Sequence, residues 1–192
     1  MLTFWRHGYE TTSVADLTAA MGISPPSLYT AFGDKKQLFL EAMRLYAGDP
    51  EDMTRRIADA PSAFEAARGL MTDAATTYTG KATPKGCLLA SATASGSAES
   101  ADVQAAVAEI RQNIQTRLQS RIERDIEAGL LPAGTQAPAL AGLVLAVTQG
   151  MSALARDGAT RRSLLAIVQA ALRAWPPMVT PHLSPDNWTA SG

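Results

Sequence analysis

The 192-residue chain has one cysteine, two histidines and no excess of charge of either sign, its formal net charge being −1. A single thiol, Cys87, forms no internal disulfide, and no paired Cys-x-x-Cys is present to hold zinc. The histidines, His7 and His182, stand far apart near the two ends, so a histidine-based triad or metal site has little to draw on. No H-E-x-x-H or phosphate-loop signature occurs, and the sequence points away from an enzyme and toward a protein without cofactor or metal. Uninterrupted apolar runs long enough for a membrane span are also missing. The most apolar stretch, Ala137 to Leu154, is broken by Gly142, Gln149 and Gly150, and the expectation is a buried helix rather than a membrane contact. No basic segment with an apolar core and a small-residue cleavage site opens the chain, so a cytoplasmic location is expected.

What is present is helix signal. Strand alternation and Asn-Gly or Asp-Gly hairpin turns are lacking. Met1 to His7 has the character of a helix end closed by Gly8. Ser13 with Asp16 three residues on forms a capping box, and Val14, Leu17 and Met21 face inward until Gly22. Ser24 caps the next helix with Pro25 at its first position; Leu28 and Phe32 point inward, and Gly33 stops it. Asp34 caps a third, with Gln37 as its partner and Leu38, Phe39, Ala42, Met43 and Tyr46 as its apolar side. Three capped helices in so short a span, two joined by a glycine-containing turn, make a helix-turn-helix layout.

Longer alanine-rich helices follow. Pro61 opens one with Phe64, Ala67, Leu70 or Met71, Ala74 and Tyr78 on one side; a loop from Gly80 to Gly86 leads to a short segment, Cys87 to Ala94, and a small-residue loop from Ser95 to Ser100. Val103, Val107, Ile110, Ile114, Leu118, Ile122 and Ile126 then trace one apolar stripe. Arg111, Arg117, Arg121 and Arg124 lie off that stripe beside Glu109, Glu123 and Asp125, an arrangement expected of solvated pairs. Two further helices, about 136–156 and 160–175, carry more apolar surface than one solvated side allows, and a homodimer through a four-helix bundle is expected there. Residues 176–192 form a proline-rich, irregular tail. The expected fold is all-α, with about nine helices: a helix-turn-helix domain over 1–46 and a helical ligand-binding and dimerisation domain over 47–175.

Residues 8–46 closely resemble the DNA-binding domain of the TetR/AcrR family of bacterial repressors. Gly8-Tyr9, Thr12-Ser13, Ala15-Asp16-Leu17, Met21-Gly22-Ile23-Ser24, Ser27-Leu28-Tyr29, Phe32, Asp34-Lys35 and Leu38-Phe39 follow one another in the family's order and spacing. Family members start with a basic arm and a fuller first helix, so the first helix is expected to be incomplete here. The resemblance implies double-stranded DNA as partner. Ser24, Pro25, Pro26, Ser27, Thr30 and Ala31 would then face base edges in the major groove, with Tyr29 and Lys35 on phosphate and Thr12 or Ser13 at the other helix start. The recognition helix lacks Arg, Gln and Asn, so bidentate reading of guanine or adenine is missing, leaving thymine methyls and DNA shape. Residues 1–46 hold Arg6, Lys35, Lys36 and Arg44 against Glu10, Asp16, Asp34 and Glu41, an even balance where a DNA reader is usually basic.

The resemblance further implies a small-molecule effector, largely apolar, in a helical cavity. The candidate lining is Phe64, Met71, Tyr78, Cys87, Ser91, Gln149 and Met151. Lys85-Gly86-Cys87-Leu88-Leu89-Ala90 is similar to a Gly-Cys-Leu segment of some TetR subgroups. Its thiol stands at a helix start, where amides favour a thiolate, yet a buried cysteine acting as a small hydrophobe is the commoner case. The alternative function is a helical ligand-binding module without specific DNA recognition.

Overall fold

The computed structural model describes residues 1–92 and 100–177. Among them are ten α-helices and no strand: α1 Leu2–His7, α2 Val14–Met21, α3 Pro25–Phe32, α4 Lys35–Ala47, α5 Pro50–Ala58, α6 Ala63–Tyr78, α7 Leu88–Ala92, α8 Ala101–Glu127, α9 Ala137–Arg156 and α10 Arg161–Leu172. Residues 95–99 of the expected loop and 178–192 of the expected tail lie outside the described residues, while Ser100, expected to end the loop, is buried at the start of α8. One helix more than expected is present because α5 was not foreseen. It buries little beyond Ile57, but Asp49 caps it, its carboxylate accepting the Glu51 amide, and Pro50 sits in its first turn.

The N-terminal helices form as their caps dictate. The Ser13 hydroxyl accepts the Asp16 amide while the Asp16 carboxylate accepts the Ser13 amide, a complete capping box. Ser24 accepts the Ser27 amide, and Asp34 the Gln37 amide at 2.7 Å. Phe4 and Phe39, both fully buried, meet edge to face with centroids 5.1 Å apart, and Tyr9 packs on Phe39 at 5.0 Å. With Leu17, Leu28 and Leu38 they fix the head, built from α1 to α4.

Below the head, α8 packs along α9, α6 along α9 and α10, and α5 along α8. The apolar stripe of α8 behaves as its spacing requires, with Val103, Val107, Leu118 and Ile122 buried. Arg121 departs from the expectation of a solvated pair. Its side chain is buried, bonded through Nε to Asp125 Oδ1 at 3.0 Å and through Nη1 to the carbonyls of Ala58 and Ala60, both at 2.7 Å. Asp125 Oδ2 accepts the Ala63 amide at 2.7 Å. The charges are thus satisfied inside the bundle by the α5–α6 connection, which no local spacing in α8 reveals.

Helix α9 is only half the buried helix expected. Ala137, Ala141, Val144, Met151, Ser152 and Ala155 face the core, whereas Leu143 and Leu154 are exposed, as are Ala139, Ala146, Gly150 and Ala153. By length and composition alone it is apolar enough to cross a membrane.

Candidate nucleic-acid interface and effector cavity

Helix α3 turns Leu28 into the head and leaves Ser24, Pro25, Pro26, Ser27, Tyr29, Thr30 and Ala31 outward. Some of their polar capacity is already committed. The Ser24 and Ser27 hydroxyls lie 2.9 Å apart, and Thr30 Oγ1 donates to the Pro26 carbonyl at 2.9 Å. Outward-facing chemistry is therefore methyl and methylene surface with hydroxyl acceptors, one serine hydroxyl proton and the Tyr29 phenol left to donate. Tyr29 is 49% exposed and projects its ring from the head.

The phosphate-side residues divide. Lys35 is part-buried, its ammonium 4.4 Å from the Tyr9 ring centroid and within 3.5 Å of the Glu10 carbonyl. Burial holds its pKa below the usual lysine value, against the pull of Glu10. Ser13 is exposed, but its hydroxyl donates to Asp16 at 2.6 Å, which brings a carboxylate to the start of α2. Thr12 must be corrected: it is buried, and its hydroxyl donates to the Gly8 carbonyl at 2.6 Å, so its side chain offers nothing to a phosphate.

Between α4, α6, α8 and α9 lies a cavity of about 390 Å³. Of the expected lining residues, Tyr78, Cys87 and Gln149 reach it. Met71 and Met151 do not; both are buried in the packed core and neither is among the lining residues. Phe64 lies elsewhere, edge-on to Trp175 at 6.0 Å, beside a shallower depression. Ser91 is buried near α9, donating to the Cys87 carbonyl and accepting from Arg156. The stripe residues Ile110, Ile114 and Leu118 form one wall, and Leu70, Ala74 and Val144 face them. Arg111 and Arg117, expected to be solvated, also line the cavity, as do Tyr46 and Met53.

The polar end of the cavity is built around Cys87, 3% exposed, whose amide donates to Ser152 Oγ at 2.8 Å. Tyr46 donates its hydroxyl to Cys87 Sγ at 3.3 Å. Burial first, then the neighbouring thiol, pushes the pKa values of Tyr46 and Tyr78 well above 10.0, so both phenols stay protonated hydrogen-bond donors. This cluster is joined to the head. Trp5 packs edge-on against Tyr46 at 4.9 Å and donates its indole N–H to the Gly86 carbonyl. Gly8 approaches so closely that a Cβ there would lie 3.0 Å from the Ser91 carbonyl oxygen. Lys36 of α4 also bonds Asp102 at the start of α8, raising the lysine pKa and lowering that of the aspartate.

Comparison with known proteins agrees with this geometry. A family description of bacterial regulatory proteins, tetR family, matches residues 3–42, and one of a tetracyclin repressor-like C-terminal domain matches residues 63–173. The HTH-type transcriptional repressor ComR of Escherichia coli (strain K12) is 32% identical over 182 residues, covering 93% of this chain and 86% of that one. A cysteine-substituted form of the TetR family transcriptional regulator CifR, solved with a 26 bp double-strand operator DNA, superimposes with a TM-score of 0.85. It is 39% identical and covers 91% of this chain and 92% of its own. A TetR regulator from Rhodococcus sp. RHA1 is 36% identical with a TM-score of 0.61, covering 91% and 93%.

Proposed function

The chain belongs to the TetR family of DNA-binding transcriptional regulators, and within it we propose a repressor that grips a palindromic operator as a homodimer and is released by a small-molecule effector. Residues 1–46 are the reader, 47–175 the sensing and dimerising domain, and 176–192 a tail. The observation that carries the proposal is the bond from Trp5 of α1 to Gly86, the residue before the cavity-lining Cys87, because an occupant that moves this segment moves the head. In the operator complex α3 lies in the major groove. Tyr29 and Lys35 reach phosphate there, and Ser24, Pro25, Pro26, Ser27 and Thr30 read thymine methyls and groove shape.

The dimer is built on α9 and α10. Ala139, Leu143, Ala146, Gly150 and Leu154 recur at helical spacing along the exposed side of α9, and Ala166 and Ala170 are exposed on α10. Small residues of this kind let a symmetry mate approach closely and complete a four-helix bundle. That contact, rather than lipid, accounts for the apolar outer face of α9. A regulator of this kind works in the bacterial cytoplasm, where its DNA is.

The test is a selection of bound fragments from random duplex DNA by the full-length protein, followed by titration across salt. A palindromic site, bound by dimers with affinity falling steeply as salt rises, supports the repressor. Failure to enrich any sequence overturns it in favour of a helical ligand-binding module.

A further inference from the structure

We propose that the cavity selects an anionic amphiphile, with a compact anionic group such as a carboxylate held at Arg117 and an apolar chain lying between α6, α8 and α9. This rests on the reading of the cavity as the effector site and goes beyond it by naming the effector's charge. The walls are mostly apolar, yet three arginines, Arg56, Arg111 and Arg117, take part in the lining. Among the described lining residues Asp73 is the one carboxylate, and it is bonded to Arg56. Arg117 therefore stands beside mostly apolar, low-dielectric walls, where a cation attracts an anion more strongly than it does in water.

Arg117 is placed to supply the contact. Among the described residues its guanidinium donates only to the Pro50 carbonyl, which engages one of its five N–H groups. Arg121, one turn further along α8, shows what a structurally satisfied arginine looks like in this protein. It holds a carboxylate and two carbonyls, and it lies outside the cavity. Arg117 is half-buried at the cavity with most of its planar fork unengaged, the geometry that suits bidentate capture of a carboxylate. Tyr46 and Tyr78, kept protonated, supply further donors but no negative charge.

The experiment is a calorimetric titration of the full-length protein with octanoate, octan-1-ol and octyltrimethylammonium, each repeated on Arg117→Gln and Arg117→Lys. The expected result is octanoate at least ~10-fold tighter than octanol, the ammonium weaker than either, and loss of the octanoate preference in Arg117→Gln with octanol affinity unchanged. Arg117→Lys should restore part of the preference because it keeps the charge, whereas an equal loss of affinity for octanoate and octanol in Arg117→Gln would mark a merely structural bond to Pro50 and overturn the proposal. Equal affinities for octanoate and octanol, or a preference that survives Arg117→Gln, overturns the proposal, as does binding of none of the three. Operator binding measured on the same samples separates the two readings. Release of operator by octanol as well as octanoate keeps the cavity as the effector site while removing its charge selectivity.

Discussion

Trp5 donates its indole N–H to the carbonyl of Gly86 across 3.2 Å, joining the first helix of the DNA-reading head to the residue that precedes the cavity thiol. Both partners are buried, so Trp5→Phe should leave the carbonyl unpaired and lower stability by about 1–3 kcal/mol in chemical denaturation. Gly86→Ala should be worse. Gly86 has φ +80, and a Cβ there would stand 2.8 Å from the Ser152 carbonyl oxygen. A variant as stable as the parent would show that this segment relaxes independently of α9.

Removing one member of the buried pair in α8 should be costly. Asp125→Asn or Arg121→Met each leaves a buried charge without its counter-ion, and a loss of about 3–5 kcal/mol is expected from urea unfolding. Arg124→Met, on the exposed side of the same helix, should change stability by about 0.5 kcal/mol or less.

DNA binding should respond to Tyr29 and Lys35 without regard to sequence. Lys35→Ala is expected to reduce the slope of log affinity against log salt by about 1.8 for the dimer, the share of one phosphate contact from each protomer. Because Lys35 also caps the Tyr9 ring, the variant's melting curve must be measured beside it. A change in preferred sequence rather than in salt slope would place Lys35 at base edges instead.

Stability should fall on the alkaline side. Tyr46 and Tyr78 have folded-state pKa values raised above the ordinary 10.0, so the folded chain binds more protons than the unfolded chain once pH exceeds that value. Their contribution is complete below pH 10 and is lost as pH rises beyond it, by up to about 1.4 kcal/mol per pH unit for each phenol. Tyr46→Phe should halve that slope; an unchanged slope would mean the phenol ionises freely in the native state.

The parts of this molecule legible in its sequence are those governed by near neighbours. Ser13, Ser24 and Asp34 bond backbone amides three residues away, and so three helix starts could be read from residue type and spacing. Helix α5 was hidden because its stabilising contacts are few and its charges, Asp52, Arg55 and Arg56, have the texture of a surface loop. Arg121 and Asp125 have the spacing of a solvated helix pair, and only the carbonyls of Ala58 and Ala60, more than sixty residues back, make them internal. The cavity was legible in part for the same reason. Helical spacing says that Ile114 and Met71 both leave the surface, but not that one faces an opening and the other a neighbour's side chain.

Apart from Tyr29, the outward face of α3 is composed of short side chains, and the helix is held from behind by Leu28 and at its start by Ser24. Positions 27, 30 and 31 can therefore be exchanged for longer residues without disturbing the packed interior. Operator preference and conformational stability are then nearly independent variables in this scaffold. A library of Arg, Gln and Asn at these three positions would be expected to vary operator preference while leaving the melting temperature nearly constant.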